Sequence, residues 1–369
     1  MPTEAGIISA SPGMHPLAAR RILRLTLGTV LALVFSQVIT WPLSFVTPVL
    51  TMFILALPLP APSFKKGLMF VVALLAPLIA AMALLPFLHH ARWAGILLVS
   101  LAFYYSFYYT AKGGSAVLGT FMTVGLTLTV TVGSVNPGVL IMLIESLAMS
   151  AMFGIAFVWV AHALLPEPPP DPAAPITRPP AQAKPDLAEA RRDAFRSLLI
   201  VLPLALLFMF ISGSPAYTVI MIKVASMGQQ ASSDHSRKMG RSLLESTLWG
   251  GAGALVAWFL LSAWPSLIFY TLLIGLAALL YGRGIFKGPA VHPRFSMWSY
   301  AFLTMIVILA PAVLDDPGGA GAAVWSRLIL FLLIALYGTA AVAVFDAFWP
   351  EQNVAGQKAI PERSDPAKQ

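Results

Sequence analysis

One ionisable residue lies deep within an apolar stretch of the chain. Lys223 follows Pro215 by eight residues in the apolar run 215–230, which places it about 12 Å into a helix that rises 1.5 Å per residue. A lysine at that depth is costly in a bilayer unless it faces protein, water or a partner, and such residues mark substrate or ion pathways. We therefore predict that Lys223 attracts an anion or responds to protons, with a structural ion pair as the alternative.

Two carboxylates, Glu145 and Glu245, also lie within apolar stretches. A carboxyl group that is withdrawn from water holds its proton more readily, so either residue could carry a proton. Either could equally neutralise Lys223 or a nearby arginine, and the sequence gives the two interpretations equal weight. His235 is a third candidate for proton coupling.

Polar residues lie at the C-terminal end of the run that contains Lys223. Gln229 is one of its last two residues, and Asp234 and His235 follow the run; they could form a polar vestibule or an ordinary solvated loop. The residues assigned to a path for a bound anion are Lys223, Tyr217, Thr218, Gln229, Asp234, Tyr104 and Tyr108.

The two tyrosines come from an aromatic run at 103–109. Tyr104 and Tyr108 could stack on an aromatic ligand. Aromatic belts are also common where a membrane helix meets water, and this second interpretation is the better supported of the two.

Hydroxyl and small side chains recur at helical spacing in two further stretches. Thr120, Thr123, Thr127 and Thr131 could line a pore, but threonine is common at contacts between membrane helices, which favours packing. A ridge of small residues at four-residue spacing predicts close helix packing as well; it consists of Ser246, Gly250 and Ala254.

Several catalytic signatures are missing from the sequence. It contains no Gly-x4-Gly-Lys-Ser/Thr loop, no His-Glu-x2-His and no Gly-x-Ser-x-Gly. It also has no cysteine, which excludes thiol nucleophiles and cysteine-based metal sites. We expect no enzyme activity, no cofactor and no metal.

The elements that must position these residues are membrane-spanning helices. Hydrophobic residues make up 58% of the 369 residues and charged residues 10%, against about 25% charged in soluble domains. Mean hydropathy is +0.82. Because a spanning helix needs about 20 apolar residues, we predict an all-α membrane protein with about twelve transmembrane helices. They are 22–40, 43–60, 67–88, 93–110, 115–134, 138–164, 194–212, 215–230, 241–262, 265–282, 296–314 and 323–348. The second and eighth are short and could be re-entrant.

The basic residues predict the orientation of these helices. Successive loops are assigned to alternate sides of the membrane. This places 20 of the 23 lysines and arginines on one side, and the exceptions are Arg92, Arg327 and Lys223. Lysine and arginine accumulate in cytoplasmic loops, so both termini are expected inside. The net charge of +8 therefore reports orientation, and nucleic-acid binding is not expected.

A Pro/Ala-rich segment divides the chain into two halves. The predicted parts are a cytosolic tail at 1–21, a six-helix repeat at 22–165, a cytosolic linker at 166–193, a second six-helix repeat at 194–349 and a cytosolic tail at 350–369. Gly154 and Ala163 match Gly338 and Ala347 at one constant offset. Because each half has an even number of spans, the repeats are expected to be parallel, with a substrate route at their interface.

Motifs in the second half resemble a known family. They are Pro215-Ala216-Tyr217, Gly228, Arg237-Lys238-Met239-Gly240-Arg241 and Trp249-Gly250-Gly251, with a degraded copy in Trp41-Pro42, Phe45, Pro48 and Lys65-Lys66-Gly67. This set resembles the fusaric acid resistance and aromatic acid exporter family of bacterial inner-membrane proteins. The chain lacks the large soluble domain of longer members and resembles the compact branch.

The resemblance implies proton-driven efflux of aromatic carboxylic acids or similar weak acids and drugs. It also implies an HlyD-like periplasmic membrane-fusion protein as partner, alongside a small anionic substrate and the lipid bilayer. A second resemblance, to plant anion channels with six-helix halves, keeps a passive anion channel as the alternative. A membrane enzyme or an assembly factor is a third, weaker interpretation.

Overall fold

The computed structural model describes residues 16–167, 187–211, 224, 238–287, 292, 294–314 and 320–348. Its described part is built of helices, which we number in chain order. They are α1 Pro16–Ile39, α2 Val46–Leu55, α3 Phe64–Met82, α4 Leu85–His90, α5 Arg92–Ala111, α6 Ala116–Leu128, α7 Pro137–Leu164, α8 Leu187–Ile211, α9 Lys238–Ala263, α10 Leu267–Ile285, α11 Phe295–Leu314 and α12 Ala320–Phe348.

Within the described residues, seven helical stretches are long and apolar enough to cross a membrane. They are Pro16–Ile39, Phe64–His90, Arg92–Ala111, Pro137–Leu164, Leu244–Ala263, Leu267–Ile285 and Gly321–Phe345. Shorter apolar helices lie at Val46–Leu55, Val117–Gly133 and Phe295–Pro311. This is the architecture of a multi-pass helical membrane protein. The predicted span 215–230 lies outside the described residues apart from Val224.

The first half departs from the predicted spans at three places. The stretch 43–60 contains a helix of only ten residues, Val46–Leu55, which is about 15 Å long and half the thickness of a bilayer core. The stretch 67–88 is broken between α3 and α4. The stretch 115–134 ends in a π-helical turn, Thr129–Gly133, after α6.

Two helices begin before the predicted spans that they contain. α8 begins at Leu187, inside the predicted linker 166–193, and α1 begins at Pro16, inside the predicted tail. The residues from Leu187 onward are Leu-Ala-Glu-Ala-Arg-Arg, which are strong helix formers, and Glu189 in the first turn complements the helix dipole. Apolar content alone misses these polar helix starts.

Corresponding helices make the same pairwise contacts in the two halves. α3 packs against α6 and α7, and α9 packs against α11 and α12. α5 lies beside α6, α10 lies beside α11, α1 contacts α7, and α8 contacts α12. The contacts that cross between the halves include α1 with α10, α5 with α8, α2 with α11, and the π-helical turn Thr129–Gly133 with α8.

Basic residues fasten the beginning of α1 to the end of α7. Arg21 binds the carboxylate of Glu167, with 2.6 Å between its Nη2 and Oε1, and Arg24 Nε donates to the carbonyl of Leu165 at 3.0 Å. Arg20 reaches the carbonyl of Pro166 at 3.0 Å. Cations at a helix C-terminus satisfy its free carbonyls and its dipole. We call this side of the molecule the basic end.

The C-terminal end of α1 leads into α2 through a tight turn. Trp41 Nε1 donates to Ser150 Oγ at 3.1 Å, and Ser150 Oγ donates to the carbonyl of Leu43 at 3.2 Å. Thr40 and Leu43 take positive φ values of 42° and 58°, a conformation that is uncommon for residues other than glycine. Side-chain bonds from α7 therefore hold this turn in place.

Candidate functional site

Most of the predicted anion path lies outside the described residues. This applies to Lys223, Tyr217, Thr218, Gln229, Asp234 and His235. The other predicted residues, namely Tyr104, Tyr108, Glu145 and Glu245, are described.

Tyr104 and Tyr108 form a stacked pair on α5. Their rings are nearly parallel, with an interplanar angle of 4° and centroids 6.1 Å apart. Both side chains are half-buried and pack against the core, whereas Phe103 and Phe107 in the same run are fully buried. The aromatic run therefore serves mainly the packing of α5, and a role in substrate stacking stays a prediction.

Glu245 lies between two arginines at the basic end. Its Oε1 is 2.6 Å from Arg241 Nε, one turn earlier on α9, and its Oε2 is 3.6 Å from Arg294 Nη1, just before α11. This is the arrangement expected for a carboxylate that neutralises nearby arginines. It links the beginnings of α9 and α11.

Glu145 occupies a different environment, on the exposed surface of α7. No described residue forms an ion pair or a hydrogen bond with its carboxylate. Its neighbours along the same face include Met142 and Met149, which are also exposed. The two carboxylates that the sequence treats alike therefore differ in position and in partners.

The threonine row on α6 is buried and internally bonded. Thr127 and Thr131 each donate to the carbonyl one turn earlier at 2.7 Å, and Thr123 Oγ1 lies 3.1 Å from Ser106 Oγ on α5. These hydroxyl groups form hydrogen bonds with the backbone of their own helix and with a neighbouring helix, as is usual at helix packing contacts. Thr131 lies in the π-helical turn, whose widened geometry is often associated with functional sites.

A narrow cavity separates the first-half helices from α11. Its volume is about 80 Å³, and apolar side chains from α2, α6 and α11 line most of it, among them Val49, Val124 and Leu303. Thr120 and Tyr300 are among its lining residues, but the surface that faces the cavity is apolar. We call it the seam cavity. It is too small for an aromatic acid.

A larger cavity lies within the second half, between α9, α10 and α11. It holds about 440 Å³, within the range of pockets that bind small molecules. Its lining is apolar, and three aromatic rings lie at one side; they belong to Trp249, Tyr281 and Trp298. Val256 and Leu280 on its rim are more than half exposed, so the cavity opens on the surface of the helix bundle. We call it the lateral cavity.

The aromatic side of the lateral cavity is fixed by hydrogen bonding and by a glycine. Tyr281 Oη donates to the carbonyl of Trp249 at 2.8 Å. The Tyr281 and Trp298 rings are tilted by 53°, with centroids 6.1 Å apart. A Cβ atom on Gly253 would lie 2.5 Å from Tyr281 Oη and 3.1 Å from Met305 Sδ. Only glycine at this position lets the tyrosine ring approach α9 so closely.

Such a cavity suits a flat apolar ligand. Tilted aromatic rings offer edge and face contacts to another aromatic ring, worth about 0.5–1.5 kcal/mol per pair beyond surface burial. The described residues of its lining include no charged side chain, so they favour the ring of an aromatic acid rather than its carboxylate. Sequence reasoning missed this site because Trp249, Tyr281 and Trp298 lie on three separate helices without a shared local pattern.

The first half of the chain is similar to one known family. Residues 21–161 match a family model whose description is "Protein of unknown function (DUF2955)". The matched segment runs from the second turn of α1 almost to the end of α7. No curated protein and no solved structure matches the chain.

Proposed function

We propose that this protein is a secondary transporter of the bacterial inner membrane that uses protons to export aromatic carboxylic acids or similar weak acids and drugs. The lateral cavity is the observation that carries this proposal. It is large enough for a substituted aromatic ring, apolar, and bordered by Trp249, Tyr281 and Trp298. Its opening on the bundle surface gives ligands dissolved in the bilayer a way in.

We further propose that the membrane part consists of two parallel six-helix repeats, about twelve helices in all, with both termini in the cytoplasm. The equivalent helix contacts in the two halves support this arrangement. The contacts between halves support it too, because exchanging the halves converts the contact of α1 with α10 into that of α8 with α5. An axis along the membrane normal relates such repeats, and the substrate route follows their interface.

The seam cavity favours a transporter over the alternative, a passive anion channel. An anion pore needs polar or charged groups along its length. The seam cavity lies at the proposed interface but is narrow, and its lining is apolar apart from Thr120 and Tyr300. Alternating access requires a state in which the interface between the two halves is closed.

The remaining parts of the proposal depend on the family resemblance. An aromatic acid exporter of the inner membrane delivers its substrate to a periplasmic partner, and an HlyD-like membrane-fusion protein would fill that role. Proton coupling would fall to Glu145, Glu245 or His235. Of these, Glu245 is already paired with Arg241 and Arg294, which makes it the weakest candidate.

Replacing Lys223 by methionine is expected to abolish transport without preventing membrane insertion. Methionine keeps the length and apolar stem of lysine but removes the charge that would attract the substrate carboxylate in the bilayer. Everted membrane vesicles should accumulate a radiolabelled aromatic acid with the wild-type protein and not with Lys223→Met.

Lys223→Arg is the matched control for this substitution. It keeps the positive charge, so it should retain measurable transport, and all three proteins should be present in the membrane in equal amounts. Full accumulation of the acid with Lys223→Met would show that Lys223 is not part of the substrate path. Absence of accumulation with the wild-type protein would contradict the proposed function itself.

A further inference from the structure

A stripe of exposed side chains runs along α7 on the outside of the helix bundle. It contains Ile141, Glu145, Met149 and Met152, spaced three or four residues apart, with Met142 beside them. Met152 is 60% exposed. We call these five residues the α7 stripe. Its apolar members suit contact with lipid, but Glu145 does not.

Centring α7 on a bilayer places Glu145 within the hydrocarbon core. α7 has 28 residues and is about 42 Å long, so a hydrocarbon core of about 30 Å leaves roughly 6 Å of helix beyond each boundary. Glu145 is about 12 Å from Pro137 along the helix, which is inside the core. Carboxylates at such depth almost always face a protein partner or a water-filled cavity.

The second half of the chain provides an internal comparison. The constant offset that aligns Gly154 with Gly338 aligns the α7 stripe with an exposed stripe on α12. Its members are Trp325, Ser326, Ile329, Leu333 and Leu336. Four of them are large apolar residues, each about half exposed, and Ile329 takes the place of Glu145. The α12 stripe has the composition of a lipid-facing surface, whereas the α7 stripe carries a carboxylate and three methionines.

We propose that the α7 stripe is the interface of a homodimer, in which Glu145 faces Glu145 of a second copy across a two-fold axis. In such an interface each residue meets the same patch of the partner, so the second copy automatically presents its Glu145 at the same depth. Two facing carboxyl groups hydrogen-bond to each other, so each copy supplies the polar partner that the lipid cannot offer.

A second copy fits this surface better than the other described faces of the same protein. Among the described residues, the exposed lysines and arginines lie at helix ends or in loops, for example Arg92, Lys112 and Arg283. None therefore offers a cation at the depth of Glu145. Methionine is flexible and fills irregular gaps, so the three methionines of the stripe can pack against their own copies.

Cysteine cross-linking in liposomes tests the proposed dimer. The chain has no cysteine, so each introduced thiol is unique, and Met142→Cys and Met149→Cys alter only exposed side chains. Both variants should give covalent dimers with a short bis-thiol reagent at low protein-to-lipid ratio. The aligned variants on α12, Ser326→Cys and Leu333→Cys, should give none. Equal cross-linking on both helices, or none on α7, would overturn the proposal.

Glu145→Ile provides the second arm of the test, because it gives α7 the residue found at the aligned position on α12. Loss of the interhelical hydrogen bond should weaken dimerisation in the bilayer about five- to thirtyfold, measured by single-molecule photobleaching over a dilution series. Glu145→Gln, which keeps a hydrogen-bonding side chain, should stay close to wild type. Wild-type dimerisation of Glu145→Ile would contradict the role of the carboxyl pair.

Discussion

Replacing Gly250 by alanine is expected to disrupt the second half of the protein. A Cβ atom at this position would overlap the carbonyl oxygen of Ala301 and lie 2.7 Å from Thr304 Cβ, so α9 and α11 would have to move apart. Overpacking of a tight core costs about 1–3 kcal/mol, and a clash with backbone belongs at the upper end, about 3 kcal/mol. Thermal unfolding in detergent and size-exclusion profiles would measure the loss.

Gly321→Ala is the matched control for this substitution. Its added Cβ would come no closer than 3.7 Å to another residue, at Trp258, and alanine is a better helix former than glycine. This control should be as stable as the wild type or more stable. Equal stability of Gly250→Ala and Gly321→Ala would show that α9 and α11 are not packed as closely as described.

Filling the lateral cavity is expected to abolish transport while leaving the protein folded. Ala277 lines the cavity from α10, so Ala277→Phe would place a ring in the space proposed for the substrate. The uptake rate for an aromatic acid should fall at least tenfold, because a blocked site removes the stacking contacts and the volume together. Unfolding temperature should change little, since the new ring enters a void.

Alanine-to-phenylalanine substitution at an exposed position distinguishes a blocked cavity from a general effect of the larger side chain. Ala94 on α5 is exposed and does not line the cavity, so Ala94→Phe should transport like the wild type. Undiminished uptake by Ala277→Phe, with a stable protein, would exclude the lateral cavity from the substrate path.

Hydropathy predicts the long helices well because each spanning helix must itself contain an apolar stretch of about 20 residues. The predicted spans 93–110 and 138–164 lie within two residues of α5 and α7. The beginnings of α1 and α8 were missed, because these turns are basic and fasten the helices to other parts of the protein. The predicted length of the second helix is too great, because apolar residues continue beyond both ends of Val46–Leu55.

The roles of single residues were harder to predict than the helices that carry them. Glu145 and Glu245 have similar apolar neighbours in sequence, and only the packing of the helices separates an exposed carboxylate from one held by Arg241 and Arg294. The row of threonines was rightly favoured as packing. The lateral cavity could not be foreseen, since it depends on the distances between three helices rather than on any local pattern.

Accumulation of an aromatic acid in proteoliposomes driven by an imposed pH difference tests the central claim most directly. The purified protein should concentrate the labelled acid above its external level when the pH difference is present, and a proton-conducting uncoupler should abolish this gradient. Liposomes containing Lys223→Met should behave like protein-free liposomes. Equilibration without accumulation, accompanied by ohmic anion currents that do not depend on the pH difference, would contradict a proton-driven transporter and identify a channel.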